Sequence, residues 1–170
     1  MHGDVLAWVS RAIAGCRRTG PGAHVLEFGS LDINGSVRPL FAELVSGGGS
    51  YLGIDVQEGP GVDLVADASA YKSDTRWDFV VCCEVFEHTA LWPKLVANAH
   101  SLLVPGGVFI ATMAGEGRPP HSAIDENPIR AWEYYKNVTG PMLDEKLASA
   151  GFTSREVDVY RTDTRCWAVK

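Results

Sequence analysis

Three carboxylates, each closing a short apolar run, are the side chains of this 170-residue chain best placed to do chemistry. Glu27 sits in Val25-Leu26-Glu27-Phe28, which runs into the polar loop Gly29-Ser30-Leu31-Asp32-Ile33-Asn34-Gly35-Ser36. Asp55 ends Tyr51-Leu52-Gly53-Ile54, and Asp67 ends Val62-Asp63-Leu64-Val65-Ala66. In α/β domains ligands bind at the carboxyl ends of parallel strands, so successive strand tips converge on one pocket. A carboxylate at Asp55 suits both hydroxyls of a ribose, and one at Asp67 suits an exocyclic amine. Plainer readings compete: a solvent-facing strand end for Glu27, a turn residue for Asp55, a helix cap for Asp67. Together the three predict an adenosine-type ligand that carries no phosphate. Its contacts are expected at Glu27, Phe28, Gly29, Ser30, Asp32 and Asn34, then at Asp55 with Val56 and Asp67 with Ala68.

The loop lacks a grip for phosphate. A dinucleotide loop reads G-x-G-x-x-G because its second glycine admits pyrophosphate to the backbone and its third lets the helix pack closely. Counting from Gly29, those places hold Leu31 and Asn34, and Asp32 adds a negative charge. An anion would be repelled there, whereas an ammonium or sulfonium would be favoured. No G-x-x-x-x-G-K-[ST] occurs, and no Y-x-x-x-K pair supports a short-chain dehydrogenase. A nicotinamide oxidoreductase is therefore disfavoured.

The loop, Asp55, Asp67, the run Trp77-Asp78-Phe79-Val80-Val81-Cys82-Cys83-Glu84-Val85-Phe86-Glu87-His88 and Leu102-Leu103-Val104-Pro105-Gly106-Gly107 resemble class I S-adenosylmethionine-dependent methyltransferases. The likeness covers roughly residues 24 to 114, and order and spacing carry it rather than any single motif. Glu27 and Gly29 match the start of the family's E/D-x-G-x-G-x-G, while Leu31 and Ile33 replace its second and third glycines. The resemblance implies S-adenosyl-L-methionine as cofactor, S-adenosyl-L-homocysteine as product and a Rossmann-like fold. It also places Glu84, Val85, Glu87 and His88 beside the cofactor's methyl end. His88 and His121 are the candidate general bases, since an unperturbed imidazole titrates near neutrality. For each the alternative is a plain loop histidine. Glu84-Val85-Phe86-Glu87-His88 looks superficially like a zinc motif but lacks a leading histidine and a third ligand, so no metal is expected. Cys82 and Cys83 read as small core residues, and no Pro-Cys or Asn-Pro-Pro-Tyr signature is present.

These residues need a scaffold, and the periodicity supplies one. Residues 4 to 18 read as an amphipathic helix with Val5, Leu6, Val9, Ala12 and Ile13 on one face, stopped by Thr19-Gly20-Pro21-Gly22. Strands are expected at Ala23–Phe28, Tyr51–Asp55, Val62–Ala66, Trp77–Cys83 and Val108–Met113. Ser36 is positioned to cap a helix carrying Val37, Leu40, Phe41, Leu44 and Val45, ended by Gly47-Gly48-Gly49. A third helix is expected from Thr89 or Ala90, and a fourth from Pro141 to Ala150. Ser154–Tyr160 and Thr164–Val169 close the chain as an antiparallel hairpin about Arg161-Thr162-Asp163. The fold class expected is α/β: one doubly wound, mostly parallel seven-stranded sheet in a single domain over residues 1–170. Residues 115–140 hold three prolines, several aromatics and no clean period, and a connection of that length is usually functional. They are expected to act as a lid and, with the amino-terminal helix, to form the acceptor pocket.

Composition bounds the partners. The net charge of −6, with basic residues scattered or paired as in Arg17-Arg18, argues against a free-standing nucleic-acid binder. No run of about eighteen apolar residues spans a membrane, the start Met1-His2-Gly3-Asp4 lacks a signal-peptide layout, and four cysteines lack disulfide or zinc spacing. A cytoplasmic setting is expected. The activity expected is methyl transfer to a small-molecule acceptor, the alternative being a non-catalytic module that binds the cofactor or its product as a sensor or partner subunit.

Overall fold

The computed structural model describes residues 3–16, 20–125 and 127–170. Arg17, Arg18 and Thr19, with Met1 and His2, lie outside the described residues, as does Glu126 of the expected lid. The chain runs α1 (Gly3–Gly15), β1 (His24–Phe28), α2 (Ala42–Val45), β2 (Ser50–Asp55), β3 (Leu64–Val65), β4 (Trp77–Cys83), α3 (Trp92–Leu102), β5 (Leu103–Ala114), α4 (Gly140–Ala150), β6 (Ser154–Tyr160) and β7 (Asp163–Val169). Seven strands form one sheet in the order β3-β2-β1-β4-β5-β7-β6. Strands β1 to β5 pair in parallel, and β7 runs antiparallel between β5 and β6. This is the expected doubly wound sheet with its terminal hairpin.

Both faces are covered. Trp8, Val9, Phe41 and Leu44 of α1 and the α2 region pack on one side; Leu95, Val96, Leu143 and Leu147 of α3 and α4 pack on the other. All seven residues of β4 are buried, which explains its unbroken apolar run. No helix among the described residues is long and apolar enough to cross a membrane.

Three elements depart from the sequence expectation. The helix expected after Ser36 is a 3-10 turn, Arg38–Phe41, followed by one short helical turn. Ser36 Oγ accepts from the Arg38 amide at 3.1 Å, and the Arg38 guanidinium reaches the Asp63 carboxylate and donates to the Gly61 carbonyl at 3.0 Å. Strand β3 is only two residues long, Leu64–Val65; just before it the Asp63 amide donates to the Gly53 carbonyl at 2.9 Å, while the Asp63 side chain, in place of its carbonyl, accepts from the Gly53 amide at 2.6 Å. Strand β5 starts earlier than expected: Leu103 already pairs with Trp77, and the register shifts across Val104-Pro105-Gly106-Gly107 before Val108 meets Phe79.

One buried amide ties the far end of the sheet to α3. Asn98 Nδ2 donates to the Ala68 carbonyl at 2.8 Å and the Tyr71 carbonyl at 2.9 Å. It thereby holds the chain that follows β3, including Asp67, against the helix. Asn98→Ala strands two carbonyls and should lower the unfolding free energy by about 1–3 kcal/mol in urea denaturation; an unchanged midpoint would show that the tie is dispensable.

Candidate functional site

The order β2-β1-β4 puts the site where strand connections diverge, at the carboxyl ends of β1 and β4. Gly29 leaves β1 with a φ of +74°, and its amide donates to the Ile54 carbonyl at 2.9 Å. A Cβ on Gly29 would stand 2.2 Å from Val85 Cγ2. Glycine therefore lets the loops after β1 and β4 touch, in a conformation that side-chain-bearing residues rarely adopt. Across the contact Glu84 has a φ of +58°, a strained geometry for a non-glycine residue at the tip of β4. Its side chain is held at both ends: Oε1 accepts from Thr112 Oγ1 at 2.9 Å, and Oε2 accepts from Arg118 Nη1 at 2.8 Å. Arg118 reaches Asp163 Oδ1 at 2.8 Å as well, so one cation joins the start of the 115–140 segment to both β4 and β7.

A cavity of about 410 Å³ opens over these tips. That volume suits a small organic ligand. Its lining includes Asp55, Val56, Asp67 and Ala68 after β2 and β3, and Glu84, Val85, His88 and His121 after β4 and β5, with Gly29 and Asn34 of the loop after β1. Asp55 is set by two backbone amides, Leu31 to Oδ2 at 3.2 Å and Gln57 to Oδ1 at 3.0 Å. Asp67 Oδ1 accepts from the Ser69 amide at 2.8 Å, so it steadies a turn and still lines the cavity.

Glu27, Phe28, Ser30 and Asp32 are not among the lining residues. Phe28 is fully buried in the core. Asp32 Oδ1 accepts from the Gly35 amide at 2.7 Å and closes the loop on itself. Ser30 is buried, its Oγ without a partner among the described residues. Glu27 Oε2 accepts from the Tyr51 hydroxyl at 2.8 Å. Burial pushes the Glu27 carboxyl up to about 7, the Tyr51 bond and the Arg38 charge pulling it partly back.

The cavity wall also holds a cluster that sequence separation hid. The rings of His88 and His121 meet edge to face with centroids 5.0 Å apart, and Tyr135 packs on both at 5.4 and 5.1 Å. Burial, then the neighbouring His121, depresses His88 to about 4, so its ring is neutral at ordinary pH. Behind them Glu87 is fully buried, and burial followed by the Glu84 charge raises its carboxyl. Its Oε1 accepts from the Ala114 amide at 3.0 Å. Arg118, Ser122 and Ala123 also line the cavity, so the irregular segment forms one of its walls. Arg118 gave no sequence signal, because its two carboxylate partners lie far away along the chain. Leu31 and Ile33, where the family pattern has glycines, present side chains to the same space.

Comparison with known proteins agrees with this geometry. The family profile described as a methyltransferase domain matches residues 5–153. The chain belongs to the class I S-adenosylmethionine-dependent methyltransferases. Among solved structures it is similar to an S-adenosylmethionine-dependent methyltransferase of Mesorhizobium loti, with 16% identity, a TM-score of 0.71 and 99% of each chain covered. It is also similar to the Burkholderia thailandensis 1,6-didemethyltoxoflavin-N1-methyltransferase, crystallised with 1,6-didemethyltoxoflavin and S-adenosylhomocysteine. There the identity is 18% and the TM-score 0.68, over 98% of this chain and 78% of that one. Phosphoethanolamine N-methyltransferase 2 of Haemonchus contortus matches at 22% identity and a TM-score of 0.63, over 91% of this chain but only 38% of that longer one. No curated protein sequence matches significantly.

Glu27 yields a pH prediction. Its folded pKa lies above the ordinary carboxyl value, so the folded state keeps a proton that the unfolded chain has lost. The resulting stability is complete at acid pH and disappears as pH rises through about 7. Glu27→Gln keeps an oxygen for Tyr51 and removes the titration, so urea unfolding at pH 5 and pH 8 should show the mutant gaining up to about 3 kcal/mol on the wild type at the higher pH. An identical pH dependence in both proteins would place the carboxyl's titration elsewhere.

Proposed function

We propose that the protein transfers a methyl group from S-adenosyl-L-methionine to a small-molecule acceptor, releasing S-adenosyl-L-homocysteine. The observation that carries this reading is one cavity lined both by Asp55 and Asp67 and by His88 and His121. In this reading Asp55 accepts from the ribose hydroxyls, Asp67 and Ala68 meet the adenine edge, and the loop from Gly29 to Asn34 holds the methionine end. Glu27, Phe28, Ser30 and Asp32 shape that loop from behind. The S-adenosylhomocysteine and 1,6-didemethyltoxoflavin bound to the Burkholderia protein and the S-adenosyl-L-methionine bound to the Haemonchus one support the reading, as does the absence of any G-x-G-x-x-G phosphate loop.

Transfer is a single in-line displacement. The acceptor's lone pair forms a bond to the methyl carbon while the carbon–sulfur bond breaks, and that electron pair returns to sulfur as a neutral thioether. Positioning and orientation alone supply roughly 7–11 kcal/mol of barrier reduction. An oxygen or nitrogen acceptor that carries a proton must also lose it. His88 is too weakly basic for that role, so the proposal gives it to His121. The 115–140 segment covers the reacting end and excludes water. Nucleic acid is not the expected partner, and the four free thiols suit a reducing, cytoplasmic setting.

Two measurements test the halves of the site separately. In calorimetry the wild type should bind S-adenosylmethionine or S-adenosylhomocysteine and not NAD, and Asp55→Ala should weaken that binding by about 1.5–3 kcal/mol. Unaltered affinity in the mutant would remove the ribose assignment. In a labelled-methyl assay against a pool of small metabolites, His121→Ala should slow turnover roughly 100-fold while leaving cofactor affinity nearly unchanged. Cofactor binding with no methyl transfer in the wild type would instead indicate a sensor or partner subunit.

A further inference from the structure

The expectation of no metal rested on a missing third donor beside Glu87 and His88, and the fold supplies one. We infer that Glu87, His88 and His121 form a binding site for a divalent transition-metal ion of the Zn²⁺, Co²⁺ or Mn²⁺ type at the acceptor end of the cavity. A carboxylate oxygen of Glu87 and one ring nitrogen from each histidine all lie within 4.8 Å of one another. Donors around a tetrahedral ion at about 2.1 Å sit about 3.4 Å apart, so closing the site takes side-chain adjustments of about 1 Å. Two imidazoles and one carboxylate suit first-row divalent ions.

Two further features suit a ligand set rather than a chance cluster. Glu87 is fully buried, and its Oε2 has no hydrogen-bond partner among the described residues, although Oε1 is satisfied by the Ala114 amide. A buried, unpaired carboxylate oxygen carries a desolvation cost that a bound cation removes. His121 Nδ1 lies 3.2 Å from the Pro119 carbonyl. A carbonyl only accepts, so Nδ1 carries the proton and Nε2 keeps its lone pair, the tautomer that metal-ligating histidines take when their other nitrogen donates to a backbone carbonyl. The Tyr135 hydroxyl donates to the same carbonyl at 3.3 Å and its ring packs on both histidines, which fixes their orientation.

Both histidines line the cavity, so the ion's remaining positions face whatever occupies it. An acceptor hydroxyl bound there would become more acidic and lose its proton to solvent. The oxygen would then take the methyl carbon as the carbon–sulfur bond breaks, with the ion unchanged at the end. With the ion bound, Nε2 of His121 is occupied as a ligand and the acceptor's proton leaves to solvent; in the ion-free protein His121 takes that proton. This role rests on the methyltransferase reading; the binding of the ion does not.

The test uses the full chain without cofactor or acceptor: Zn²⁺ titrated by calorimetry and Co²⁺ by visible absorption. One ion should bind per chain, with Co²⁺ bands of a histidine-containing site. Loss of even an outer partner typically costs about 10–100-fold in affinity, so His121→Ala and Glu87→Gln should each weaken binding by at least about 100-fold. His24→Ala, on the distant exposed end of β1, should not. Circular dichroism checks that Glu87→Gln still folds, and His121→Ala carries the test if it does not. No uptake at millimolar metal, or equal uptake by the wild type and both site variants, overturns the site. Neither result touches methyl transfer, which the labelled-methyl assay reads independently.

Discussion

The site depends on one close approach. The loops that leave β1 and β4 touch because position 29 carries no side chain, and any Cβ there would occupy the space of Val85. The contact sits where the sheet's winding reverses, so it sets how near the loops after β1 and β4 stand to each other. Strain is accepted on the opposite side of the contact, at Glu84, and is held by Thr112 and Arg118. Two backbone positions in left-handed geometry, Gly29 and Glu84, thus stand at the cavity's floor.

The scaffold was legible where burial is uniform. Strand β4 was read to the residue because a strand covered on both faces leaves no polar interruption, and α4 was read almost to the residue because Gly151 ends it. Legibility failed where a side chain outbids local propensity. Asp63 lies in a run with strand character, yet its side chain is engaged by Arg38 and by the Gly53 amide, and the regular pairing of β3 is confined to Leu64 and Val65. Val37, Leu40, Phe41, Leu44 and Val45 lie on a helical period, yet the element is a 3-10 turn followed by one helical turn.

The same limit explains what was visible of the site. Acids at strand tips are local signals, so Asp55 and Asp67 could be found from the residues beside them. Glu27 obeyed the same rule but is claimed by Tyr51 on the neighbouring strand, a pairing that only the sheet register reveals. His88 and His121 could be named singly, whereas their meeting over Tyr135, and the buried Glu87 beneath, required the path of the 115–140 segment. Arg118 and Asn98 had no local pattern at all, since their partners are distant carboxylates and carbonyls.

The two ends of the irregular segment are clamped side by side. The Gly115 amide donates to the Thr162 carbonyl at 2.7 Å, the Val138 amide donates to the Ala114 carbonyl at 2.9 Å, and the Asn137 side chain bridges the Gly115 and Arg118 carbonyls. A loop already closed at its base adds little entropic cost when it lengthens, since each doubling costs only about 0.6 kcal/mol. The sheet therefore offers a socket in which the stretch between residues 118 and 137 can be exchanged, extended or trimmed while the pairing of β1, β2 and β3 is left untouched.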